Sequence, residues 1–182
     1  ILIIEDPSLL ECLKKNSYDQ FYNEHIYLFS ATSVKNLLKK HNLEIFDIKK
    51  LSTHGGSLRY YIKKKTNNKI KIFSSVNNQL IKEKKYGLDK YSTYKKFAER
   101  VKYSKNNLID ILKKLKSKNK KIIGYGATAK AVTIMNYCNI DKSLIPLFTD
   151  TTPEKINNFI PGKDIKIVKY HKKILNKYVW SN

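Results

Sequence analysis

The chain has 182 residues, of which 41% are hydrophobic and 12% aromatic, so it can bury the core of one domain or of one and a half. This composition excludes a disordered tail, although the mean hydropathy is −0.51. The formal net charge of +22 favours anionic partners, but the lysines are spread along the whole chain, so nucleic acid and phosphorylated small molecules both stay open.

The chain begins with an aliphatic run. Residues 1–4, Ile-Leu-Ile-Ile, predict a buried parallel strand. Such a strand needs neighbours on both sides, so we interpret the chain as a fragment of a longer protein and expect exposed apolar surface here. Asp6 and Pro7 then predict the cap and the first position of a helix.

A loop or short helix over residues 19–30 precedes a second helix, for which Thr32 or Ser33 is the predicted cap. A strand over residues 43–48 follows. Residues 58–63 alternate between apolar and polar side chains, which predicts a half-exposed strand. Because a glycine turn separates the two strands, we expect them to pair antiparallel.

The second half predicts an α/β arrangement. A weak helix over residues 76–86 marks the predicted domain boundary, and an i, i+4, i+7 pattern predicts a long helix over residues 91–117. Asn119 is expected to end it in a left-handed turn. Then follow predicted strands and a helix, which together resemble the start of a Rossmann-like unit: a strand at Ile122-Ile123, a glycine turn, a helix over 128–137, and strands over 145–150 and 165–168.

Two cysteines, Cys12 and Cys138, lie far apart, which excludes a disulfide framework and a Cys-x-x-Cys metal site. We expect a reduced, cytoplasmic protein, and we predict no metal site in this chain. No apolar run reaches the roughly 18–20 residues that span a bilayer, so no membrane partner is expected.

Gly124, Gly126 and Lys130 belong to the turn GYGATAK, where small residues let backbone N–H groups approach a phosphate and a helix N-terminus adds partial positive charge. A glycine turn that binds nothing explains the pattern equally well. Asp150 follows at a spacing that permits hydroxyl recognition, but this does not establish a nicotinamide cofactor.

Tyr22, Glu24 and His25 place three proton-exchanging side chains within four positions of an aromatic run. A histidine next to a carboxylate is what a general base near neutral pH needs. The alternative is a surface histidine beside a glutamate that pairs with lysine. The turn His54-Gly55-Gly56 is equally open: it is a hairpin turn, or it brings His54 close to a ligand.

Five stretches, taken in order and spacing, resemble the nucleotide-sugar C-methyltransferases, and most closely those that methylate C3 of dTDP-4-keto-deoxyhexoses: EDPSLL, YDQFYNEHIYLFSATSV, LSTHGGSLRYY, GYGATAKA and FTDTTPEK. The resemblance extends from Ile1 to about Ile167. The family's last strand ends in Trp-Asn, and residues 178–182 are a shortened version of it.

This resemblance implies a zinc-binding domain, an S-adenosylmethionine-binding Rossmann domain and a Rossmann-like C-terminal domain. The chain would carry the end of the second (1–75) and the third (76–182), without the zinc cysteines or the methyl-donor loop. The resemblance implies that His25 removes the C3 proton and that Tyr22 forms a hydrogen bond with the substrate or the enolate oxygen. It also implies that Glu24 orients His25 or favours its protonated form. His54, Gly55, Gly124, Gly126 and Lys130 would bind the nucleotide sugar.

Two other functions stay open. The chain could bind a nucleotide sugar without turnover, or it could be a basic nucleic-acid-binding protein. The second predicts DNA or RNA affinity that falls steeply with salt, but neither an RNA-type aromatic motif nor a recognition helix supports it. The fragment is expected to be inactive alone.

Overall fold

The computed structural model describes residues 1–172 and Ile174. The described chain is mixed α/β with two separate three-stranded sheets. It divides into two compact units: unit 1 comprises Ile1–Tyr18 and Asn23–Arg100, and unit 2 comprises Asp19–Tyr22 and the chain from Val101 onward. The predicted domain boundary between residues 75 and 76 is not the same as this division into compact units, and it stays a prediction. The shortened final strand predicted at residues 178–182 lies outside the described residues.

Unit 1 contains an antiparallel sheet in the order β1-β3-β2, built from β1 (Leu2–Pro7), β2 (Leu43–Leu51) and β3 (Ser57–Lys64). The hairpin of β2 and β3 is confirmed, and Leu58, Tyr60 and Ile62 alternate into the core as predicted. The prediction of a buried parallel first strand is wrong. β1 pairs antiparallel with β3 and has no second neighbour among the described residues. The side chains of Leu2, Ile3 and Ile4 are exposed.

The helices of unit 1 begin at caps that the sequence analysis misplaced. Ser8, not Asp6, caps α1 (Leu9–Lys15), because its side chain accepts a hydrogen bond from the Glu11 amide while Pro7 ends β1. Ser30, not Thr32 or Ser33, caps α2 (Ala31–Lys39), where Ser30 and Ser33 form a reciprocal capping box. Both serines directly precede the first helical residue.

Two further helices match their predictions. α3 (Ser74–Tyr86) contributes Val76 to the core of unit 1, which also contains residues of α2, β2 and β3. α4 (Tyr91–Ser117) has the predicted bounds, and Asn119 after it has a φ of 56°. Its first ten residues belong to unit 1 and the remainder to unit 2.

Unit 2 contains a parallel sheet in the order β4-β5-β6, built from β4 (Gly124–Tyr125), β5 (Leu147–Asp150) and β6 (Lys166–Lys169). β4 begins after Ile122-Ile123, so the strand predicted at those two residues is displaced. Thr128, which was predicted as the first helical residue, is instead the cap of α5 (Ala129–Tyr137), where its side chain accepts a hydrogen bond from the Ala131 amide. The core contains Phe148, Ile167 and Leu112, together with Met135 and Cys138. Cys12 and Cys138 are both buried, and they are not joined in a disulfide bond.

Candidate functional site

The motif Tyr22-x-Glu24-His25 lies at a short 3-10 turn, Asn23–His25. Glu24 is exposed and His25 is half-buried; both belong to unit 1, whereas Tyr22 is half-buried and belongs to unit 2. Ile26 and Tyr27 are 75% and 73% exposed. These two apolar neighbours therefore do not shield the motif from water in the described structure.

His25 and His54 come together in unit 1, although a helix and a strand separate them in sequence. Their ring centroids are 6.0 Å apart and the rings meet edge to face at 86°. The structure thus places the predicted base beside a predicted substrate-binding residue.

The turn that carries His54 has an unusual backbone. His54, Gly55 and Gly56 have φ angles of 52°, 81° and 137°, and a left-handed non-glycine residue stores strain that is common at functional sites. A Cβ on Gly56 would come within 2.9 Å of the Glu11 side chain, so the glycine is needed for close packing as well.

Three hydrogen bonds fix this turn. The Gly56 amide donates to the Thr53 carbonyl at 2.9 Å, and the Ser8 amide donates to the Gly56 carbonyl at 3.0 Å. The Lys15 ammonium donates to the Gly55 carbonyl. The His54 imidazole is therefore carried on a backbone that is tied to both the hairpin and the start of α1.

Asp6, near the C-terminal end of β1, is a carboxylate that the sequence analysis assigned only to helix capping. Burial raises its pKa above the usual value, and the positive charge of His25 opposes that rise. The carboxylate and the imidazole therefore interact electrostatically. The acidic pair Glu5-Asp6 directly after the aliphatic run was the available signal, but the following proline favoured a capping role for Asp6.

Gly124, predicted to form the glycine turn, is instead the first residue of β4; Gly126 lies in the turn between β4 and α5, and Lys130 lies in the first turn of α5. A Cβ on Gly124 would collide with the ring of Phe148, and Gly126 has a φ of 83°. The fold itself therefore requires glycine at both positions. Lys130 is half-buried in the first turn of α5.

Asp150 holds this glycine turn in place from within the fold. It is 6% exposed and accepts hydrogen bonds from the Ala127 amide at 2.7 Å and from the Thr152 amide at 2.9 Å. The hydrogen bond from Thr152 is the largest cause that lowers the pKa of Asp150 to about 2. The Asp150 carboxylate already accepts a hydrogen bond from the Ala127 amide of the turn. A phosphate bound at this turn would therefore be repelled by the negative charge of Asp150.

Asp150→Asn is expected to destabilise the protein by about 1–3 kcal/mol near neutral pH, because the amide cannot accept from both backbone N–H groups. Folding lowers the pKa of Asp150, so its carboxylate stabilises the fold above about 3.8, and this contribution disappears as the pH falls toward about 2. Urea unfolding should therefore show the difference between variant and wild type shrinking from pH 4 to pH 2. Asp110→Asn, on an exposed position of α4, is the control, and an equal loss there would contradict this role.

Within the described part of the chain, no three His, Cys, Asp or Glu side chains are grouped to hold a metal ion. No helix in residues 1–172 is both long enough and apolar enough to cross a membrane.

The chain belongs to the family described as the C-methyltransferase C-terminal domain, whose model matches residues 52–177. It is 28% identical over 167 residues to C-methyltransferase NovU of Streptomyces niveus. That match covers 92% of this chain, so it includes residues 22–25, and 40% of the relative's length. The predicted membership of a C-methyltransferase family is confirmed.

Proposed function

We propose that the protein to which this chain belongs methylates a carbon of a nucleotide-linked 4-keto-deoxysugar, with S-adenosylmethionine as methyl donor. The observation that carries this proposal is the meeting of His25, from the Tyr-x-Glu-His motif, with His54 of the glycine turn, their ring centroids 6.0 Å apart. Family membership supports carbon as the methylated atom.

Carbon methylation requires a carbanion equivalent, and a ketone supplies one by acidifying the adjacent C–H bond. His25 would accept the proton from C3, and the electron pair of that bond would pass to the C4 carbonyl oxygen as an enolate. The C3–methyl bond would then form as the methyl–sulfur bond of the donor breaks, with its electron pair left on sulfur. S-Adenosylmethionine supplies the electrophilic methyl group when bound.

The other motif residues have supporting roles in this proposal. Tyr22 would donate a hydrogen bond to the enolate oxygen, where negative charge develops. Glu24 would orient His25 or favour its charged form, and Asp6 would be a second carboxylate that interacts with that imidazole. His54 and Gly55 would contact the sugar.

No residue of this chain is assigned to the methyl donor. The connection from β1 to α1 in unit 1 is Ser8 alone, and the connection from β3 to α3 contains no glycine, so neither forms a glycine-rich donor loop. The predicted absence of that loop from this chain stays part of the proposal, as does a zinc site outside it.

Residues 1–75 are proposed to be the end of a methyltransferase Rossmann domain and residues 76–182 a smaller Rossmann-like domain. The parallel order β4-β5-β6, with α5 following a glycine turn, supports the second assignment. Gly124, Gly126 and Lys130 are proposed to meet the diphosphate of the nucleotide sugar, with Lys130 offsetting the charge of Asp150.

The proposal is tested by incubating the complete protein with S-adenosylmethionine and a dTDP-4-keto-6-deoxyhexose. The expected result is one added methyl group per sugar, located on C3 by NMR. A methyl group on oxygen, or methyl transfer only to a substrate without a nucleotide, would contradict the proposed substrate.

A further inference from the structure

Methyl transfer to carbon, as proposed above, releases one proton in every turnover. His25 would hold that proton after the C3–H bond breaks, and it must lose the proton before it can act as a base again. His25 is half-buried, and a sugar bound in front of it would cover it further. A second proton carrier between His25 and solvent would therefore speed repeated turnover.

His54 lies where such a carrier is needed. Its ring meets that of His25 edge to face, with the centroids 6.0 Å apart, and His54 is exposed whereas His25 is half-buried. At this separation a ring nitrogen of one imidazole can reach the other imidazole directly or through one water molecule. Imidazole has two ring nitrogens, so it can accept a proton on one and release a proton from the other, which is how histidine serves as a proton shuttle.

The backbone of the turn keeps the His54 ring beside His25. His54 has the left-handed φ of 52°, and the hydrogen bond from the Gly56 amide to the Thr53 carbonyl closes the turn across it at 2.9 Å. The Gly55 carbonyl, directly after His54, accepts a hydrogen bond from Lys15 of α1. Backbone strain that the surrounding structure maintains in this way is concentrated at functional sites.

Two carboxylates are the alternative carriers. Asp6 interacts electrostatically with His25, but Asp6 is itself half-buried and so, like His25, lacks open access to water. Glu24 is exposed, but it forms no hydrogen bond or ion pair with any described residue. Of these three residues, His54 is the one that combines a contact with the His25 ring and exposure to solvent.

We propose that His54 carries the proton from His25 to solvent. This role rests on the proposed function, and it adds to the sugar contact proposed for the same turn. After His25 accepts the C3 proton on one ring nitrogen, a proton from its other ring nitrogen passes to His54, and His54 releases a proton to water. His25 is then neutral again, and the proton that methyl transfer liberates is in solution.

The test compares the complete wild-type protein with His54→Asn, using a dTDP-4-keto-6-deoxyhexose. Asparagine, like histidine, is enriched in the left-handed conformation, so the turn should persist, but asparagine does not carry a proton near neutral pH. In D₂O without methyl donor, His25 of the variant would return its proton to C3, so deuterium incorporation at C3 should slow about tenfold or more. With donor and excess enzyme, the first turnover should stay within about twofold of the wild type, because His25 still removes the proton.

Free imidazole separates proton transfer from a structural role. A high concentration of imidazole should restore exchange and repeated turnover by His54→Asn, because a small base in solution replaces the missing carrier. The matched control is His41→Asn, at an exposed position in the turn between α2 and β2, which should behave as the wild type with or without imidazole.

Equal exchange by wild type and His54→Asn would overturn the proposal, and so would a rise in the KM for the sugar as the sole change. A loss of the first turnover that imidazole does not restore would also overturn it, and would indicate that His54 acts only by holding His25 in place. A wild type that neither exchanges C3 nor transfers methyl groups would instead overturn the proposed function, and this role with it.

Discussion

His25→Asn is expected to reduce methyl transfer by the complete protein by about 10²- to 10⁴-fold, the usual contribution of a general base. Asparagine keeps a planar side chain with hydrogen-bonding capacity but does not accept a proton near neutral pH. The loss should appear in kcat rather than in the KM for the sugar, since the lost interaction belongs to the transition state. Steady-state kinetics with a dTDP-4-keto-6-deoxyhexose measures both constants.

The control for this variant is His41→Asn. His41 is exposed, in the turn between α2 and β2, and is expected to leave the kinetics unchanged. His25 is half-buried in a short 3-10 turn rather than in either core, so the asparagine variant should fold normally, as far-UV circular dichroism would show. Full turnover by a folded His25→Asn protein would remove the assignment of His25 as the base.

Glu83→Ala is expected to lower the free energy of unfolding by about 2–4 kcal/mol, the largest stability effect predicted for unit 1. Glu83 is 1% exposed and lies at the N-terminus of α2. Its two oxygens accept from the Ala31 amide at 2.7 Å, and from the Thr32 amide and hydroxyl at 2.9 Å and 2.7 Å. The variant leaves these donors unpaired and removes a negative charge from the positive end of the helix.

A cavity of about 620 Å³ adjoins Glu83 and Thr32, so water can reach part of this network, which limits the expected loss. Urea unfolding followed by circular dichroism measures the effect. Glu99→Ala, on an exposed position of α4, should stay within about 0.5 kcal/mol of the wild type. A Glu83→Ala protein as stable as the Glu99→Ala control would show that the buried carboxylate does not stabilise α2.

Local patterns predicted the elements whose residues are close in sequence. The hairpin of β2 and β3, the bounds of α4 and the left-handed Asn119 follow from alternation, helical periodicity and turn chemistry. The predictions of the two helix caps were wrong because several residues next to each helix could cap it. The choice of Ser8 and Ser30 depends on which backbone amide each side chain meets.

Contacts between segments that are distant in the chain could not be predicted from the sequence. Nothing local indicates that Glu83 of α3 completes the start of α2, and a charged residue on a helix is usually solvated. The prediction for β1 was wrong for a related reason. An aliphatic run predicts burial, but the pairing partner and its direction are set by β3 and not by the residues of β1. The motif Tyr22-x-Glu24-His25 could be found only by resemblance, and its meeting with His54 only from the structure.

Proton exchange at C3 tests the central claim most directly. The complete protein is incubated in D₂O with a dTDP-4-keto-6-deoxyhexose and without S-adenosylmethionine, and deuterium at C3 is followed by NMR. If His25 removes this proton, the wild type should incorporate deuterium at C3 and His25→Asn should not. Exchange at the same rate in both proteins, or methyl transfer by a wild type that never exchanges C3, would contradict His25 as the base at that carbon.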